Sequence, residues 1–101
     1  MLEQPAVKTL ETIANTLVGL GQYKSQSDAL RAIAIEQVNR KIALYERRVK
    51  RFEKKHRATF DKFTKRLRQR ATANQEDEWM EWEAALEMLN EWQETKKALA
   101  N

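Results

Sequence analysis

Gly21 is the last glycine or proline in this chain of 101 residues, and only Pro5 and Gly19 precede it. Glycine and proline are the residues that most reliably interrupt regular structure. Beyond residue 21 the chain carries none of that punctuation. It is rich instead in Ala, Glu, Lys, Arg and Leu, which lose little side-chain freedom in a helix. The expectation is an all-α fold with long helices and no sheet. A chain of this length suits one domain and buries roughly two-thirds of its unfolded surface at best.

The apolar spacing locates the helices. Val7, Leu10, Ile13, Ala14, Leu17 and Val18 recur at helical intervals from about Pro5 to Leu20. Proline suits a first turn, and Gly19 and Gly21 can supply a left-handed cap. Tyr23 to Gln26 reads as a turn, with Ser25 or Ser27 capping a second helix and Asp28 in its first turn. Leu30, Ile33, Ala34 and Val38 follow on one face. From Val38 the apolar positions Ile42, Tyr45, Val49 and Phe52 keep a heptad rhythm, a seam for another helix or a second copy. Running to Lys55, this helix would be roughly 45 Å long. A compact chain of this size has a radius of gyration of about 13 Å, so the helix should project from the N-terminal hairpin. A break is expected at Arg57-Ala58, then a short third helix capped by Thr59 with Phe60, Phe63 and Leu67 inward. Residues 70–74 read as a linker, and Asn74 as the cap of an acidic fourth helix. The resulting segments are 1–39, 40–70 and 71–101, in one structural unit.

Charge is segregated along the chain. Residues 1–39 carry three basic and four acidic side chains, residues 40–70 fourteen and three, and residues 71–101 two and eight. The basic segment could neutralise phosphates. The simpler reading is favoured: a solvated face, or a partner for the acidic fourth helix. No Gly-rich loop, zinc finger or aromatic platform accompanies the charge.

Several chemistries find no support. With no cysteine there is no disulfide or thiolate chemistry. Glu53 and His56 have the Glu-x-x-His spacing of helical di-iron sites, but those need two such pairs and further carboxylates. Here the pair is single and lies among cations, so no metal or other cofactor is expected. No nucleophile lies with a base, and Glu81 and Glu83 point to different sides of a helix; the chain is expected not to be an enzyme. No basic leader or long apolar run is present, which points to the cytoplasm and away from a membrane.

Three tryptophans, Trp79, Trp82 and Trp92, fall within fourteen residues. Trp79, Trp82, Leu86 and Leu89 share one face of the fourth helix, which Ala85, Met88 and Trp92 widen. Such aromatics anchor protein interfaces; they could equally complete the chain's own core. One of Trp92 and Met80 is expected to remain outside.

These residues carry a resemblance. LETIANTLVGLGQYKSQSDALRAIAIEQV, Leu10 to Val38, resembles the two helices of ribbon-helix-helix proteins, with a Lys-Ser turn and a Ser-Asp opening. FEKKHRATFDKFTKRL and EDEWMEWEAALEML look like a small prokaryotic family of antitoxins from toxin–antitoxin operons. That family has a Tyr-Gly turn where this chain has His56-Arg57, so a softer break is expected and the long helix could run on. The ribbon has no counterpart in Met1 to Gln4, so the resemblance implies a helical hairpin and a partner-binding tail without the strand that contacts DNA. The expected function is therefore antitoxin-like: binding a small toxin, a ribonuclease, through Phe60, Phe63, Trp79, Trp82, Leu86, Leu89 and Trp92. A homodimer along Val38, Ile42, Tyr45, Val49 and Phe52 is the expected assembly. The rivals are a nucleic-acid-binding accessory protein using residues 40–70 and a purely structural dimer.

Overall fold

A helix stops where its last carbonyls and first N–H groups find other partners, and the caps of this chain set its architecture. In the computed structural model, which describes residues 4–100, 88% is helical, in four helices with no strand among the described residues. The fold is all-α. Met1–Glu3, on which most of the expectation about a ribbon rests, lie outside the described residues.

The first helix, α1, spans Gln4–Gly19. It ends in a Schellman motif. Gly21 stands at φ 78°, its N–H donates to Val18 O at 2.9 Å, and the Gln22 N–H donates to Leu17 O at 3.1 Å. A left-handed residue is needed there, and glycine takes it without a Cβ penalty. Ser25 then accepts the Asp28 N–H at 3.1 Å and starts α2, Gln26–His56. Ser25, not Ser27, is the cap.

The chain divides into two compact units, Met1–Gln37 and Val38–Asn101, and α2 runs through the division. In the first unit Ala14 of α1 and Ala29 of α2 are fully buried; small side chains allow close helix packing. Gln26 donates to Asn15 across the pair at 3.3 Å.

The second unit holds the rest of α2 with α3, Phe60–Gln69, and α4, Ala73–Ala100. The chain does not continue helically through His56-Arg57. Arg57 takes φ 49°, and the Ala58 N–H reaches back to Glu53 O at 3.3 Å. Arg66 of α3 adds a hydrogen bond from Nη1 to His56 O at 3.2 Å. The turn is a helix cap with arginine where glycine would be unstrained. Thr59 caps α3 by accepting the Lys62 N–H at 3.3 Å.

The start of α4 differs from the expectation at Asn74. Thr72 Oγ1 accepts the Gln75 N–H at 3.2 Å, and Gln75 Oε1 accepts the Thr72 N–H at 3.0 Å. This reciprocal capping box satisfies two N–H groups, where a lone asparagine cap would satisfy one. The predicted segments 40–70 and 71–101 lie in one unit, whose core holds Val38, Phe63, Trp82 and Ala85.

Candidate protein-binding site

Trp82 is fully buried, at 0% exposure, and rings from two other helices surround it. Phe52 of α2 stacks on it at 5.6 Å between centroids, His56 at 5.9 Å, and Phe60 and Phe63 of α3 approach at 5.4 Å each. Stacked and edge-on contacts at these separations add to simple burial. Thr64 ties the neighbouring tryptophan in: its hydroxyl accepts from Trp79 Nε1 at 2.8 Å and donates to Phe60 O at 2.8 Å. Trp79 also stacks on Phe60 at 5.6 Å. Trp82 Nε1 and Trp92 Nε1 are buried without a hydrogen-bond partner.

The residues expected to bind a partner are thus unequal. Phe63 and Trp82 are buried in the chain's own core, while Phe60, Trp79, Leu86, Leu89 and Trp92 are half-buried. The heptad seam is partly occupied in the same way. Val38 is buried; Ile42, Tyr45, Val49 and Phe52 are half-buried, and Phe52 is engaged by Trp82.

Beside the aromatic cluster lies a charged corner. His56 stacks against Phe63 at 4.2 Å. Its Nε2 is 2.7 Å from Glu78 Oε2, a close ion contact without the alignment of a hydrogen bond. Lys55 Nζ contacts Glu78 Oε1. The hydrogen bond from Lys55 holds the Glu78 carboxyl below its ordinary range. Burial opposes this, and the charges of Lys55 and His56 assist. Glu53 is exposed, and no group of three or more metal-ligating side chains occurs among the described residues.

The other side of α4 carries a feature that the sequence shows only faintly. Met80 is 61% exposed and Met88 38%, and Ala84 between them is exposed too. At four-residue spacing these positions share one side of a helix, away from Trp82. Exposed carboxylates flank them: Asp77, Glu81, Glu87 and Glu91. Next to Met88 a groove of about 470 Å³ opens between α4 and α2, bordered by Ala84, Ala85 and Glu81 on one bank and Tyr45, Arg48, Arg51 and Phe52 on the other. Arg48 lies over the Tyr45 ring at 5.1 Å. The signal is the i, i+4, i+8 spacing; the tryptophans mask it by making α4 apolar on more than one side.

No known family, curated protein or solved structure matches the chain. No helix among the described residues is long and apolar enough to cross a membrane.

Proposed function

We propose that this chain is an antitoxin-like protein-binding module. It acts in the cytoplasm, has no catalytic activity, and neutralises a small basic toxin, a ribonuclease, by laying α4 against it. The observation that carries this reading is the exposed Met80–Ala84–Met88 stripe with carboxylates on its borders. Apolar surface that a monomer leaves exposed is a common mark of an interaction site. Methionine adapts to irregular partner surfaces, and the flanking carboxylates favour a cationic partner and speed its approach.

In this reading the inward aromatics have a different task from the one their residue types suggest. Phe63 and Trp82 hold α4 in place, while the half-buried Phe60, Trp79, Leu86, Leu89 and Trp92 can present only their edges. The main anchors on this chain are Met80 and Met88, with the groove beside Met88 receiving a side chain of the partner.

The test is co-expression with the product of the neighbouring gene, followed by affinity purification. The native chain retains that protein. Met80→Ala combined with Met88→Ala keeps the circular dichroism spectrum and releases it. An anchor is worth about 2 kcal/mol or more, so the double change weakens binding roughly a thousandfold. Retention of the partner by a folded double variant would remove the stripe from the account.

A further inference from the structure

The back of α2 carries a stripe of exposed positive charge. Measured around the helix at about 100° per residue, Tyr45, Val49, Phe52 and His56 form one side, against which Trp82 packs. Arg47, Lys50 and Lys54 fall on the opposite side, and Arg51 at its edge, where it also borders the groove beside Met88. All four are exposed, and none makes an ion pair among the described residues. Glu46 and Glu53 lie along the edge and engage none of these cations there. The acidic α4 does not neutralise them either: its ion pairs to α2 run from Glu78 to Lys55 and His56. Like charges three and four residues apart disfavour a helix by a few tenths of a kcal/mol per pair. An interleaved pattern of acid and base would avoid that repulsion.

We propose that this stripe is a docking face for double-stranded DNA. From Arg47 to Lys54 it covers about 10 Å of helix, and the exposed Arg40 lies on the same side two turns earlier. The stripe is about 100° wide, so its cations can reach phosphates on both edges of a groove. A helix is about 10–12 Å across, which fits the major groove of B-form DNA at about 12 Å. The major groove of duplex RNA is too deep and narrow for the same approach. Ala43, on the same side between Arg40 and Arg47, keeps the helix slim there. Phosphate neutralisation dominates such binding, so it tolerates changes of base sequence. The inference stands apart from the protein-binding reading except at Arg51, which also borders the groove beside Met88; Arg47, Lys50 and Lys54 line no part of that groove.

The experiment follows fluorescence anisotropy of a labelled duplex of about 20 base pairs as salt rises from about 50 to 200 mM. The full chain binds at low salt, and its affinity falls steeply as salt rises. Replacing Arg47, Lys50, Arg51 and Lys54 by glutamine weakens binding about tenfold or more. It also lowers the slope of log affinity against log salt by about 3 to 4, near 0.9 per lost contact. A circular dichroism melt accompanies the variant. If it unfolds early, Lys50→Gln with Lys54→Gln carries the same test, with a slope change of about 2. A duplex RNA of equal length binds at least about tenfold more weakly, and phosphatidylserine vesicles bind more weakly than the DNA duplex at the same salt. Absence of DNA binding at low salt, an unchanged slope in the variants, or equal binding to RNA or vesicles would overturn the proposal.

Discussion

Trp82 and Glu78 lie one helical turn apart on α4 and stabilise the second unit in different ways. The Trp82 ring is fully buried among Phe52, His56, Phe60 and Phe63. Trp82→Ala leaves a large cavity and should cost about 3–5 kcal/mol in chemical denaturation. Loss of partner binding in that variant would therefore report unfolding. Trp82→Phe should cost clearly less, because it retains a ring and removes an indole N–H that has no partner. Glu78 contributes through charge. Its pKa in the folded chain lies below the ordinary 4.5, chiefly through Lys55. Its stabilisation is therefore complete above about pH 4.5 and is lost as pH falls through the lowered folded value. Urea denaturation at a series of pH values should show the native chain losing its advantage over Glu78→Gln below about pH 4.5; an advantage independent of pH would refute this. Lys55 is exposed, so added salt should shrink the effect.

The four helices are legible in the sequence because their caps are local. Gly21, Ser25 and Thr59 each act on an N–H or carbonyl a few residues away, and chain order alone brings those groups together. The start of α4 is harder to read for a related reason. Asn74 is a good cap by residue type, but the pair Thr72 and Gln75 satisfies two donors reciprocally. Thr72→Ala should thus cost about 1 kcal/mol, and Asn74→Ala close to nothing, in thermal melts. Arg57 is the opposite case. Its left-handed conformation, φ 49°, is one that glycine adopts freely. Arg57→Gly should raise stability by about 0.5–1 kcal/mol, the relief of strain exceeding the added chain entropy. A lower melting temperature in that variant would show that the Arg57 side chain contributes more than its backbone conformation costs.

Across the second unit, the side of α4 that packs inward is fixed by residues distant in sequence. Val38, Phe52, Phe60 and Phe63 come from two other elements, and the rings among them select Trp82 for the core, with Ala85 buried beside it. Periodicity within α4 cannot make that choice, because apolar residues also occur at Met80, Ala84 and Met88. Residue types alone mark the aromatic tail as a concentration of packing energy, while the division between inward and outward residues comes from tertiary contacts. The same is true of charge: composition leaves open whether residues 40–70 are a solvated face or a partner for α4, and among the described residues Glu78 makes the ion pairs between α4 and α2. The outward stripe of α4 is central to the protein-binding account, and methionine methyl groups report on it directly. In a chain labelled with carbon-13 at its methionine methyls, addition of the neighbouring gene's product should shift or broaden the Met80 and Met88 signals at stoichiometric partner. Binding of that partner with both signals unchanged would contradict the account.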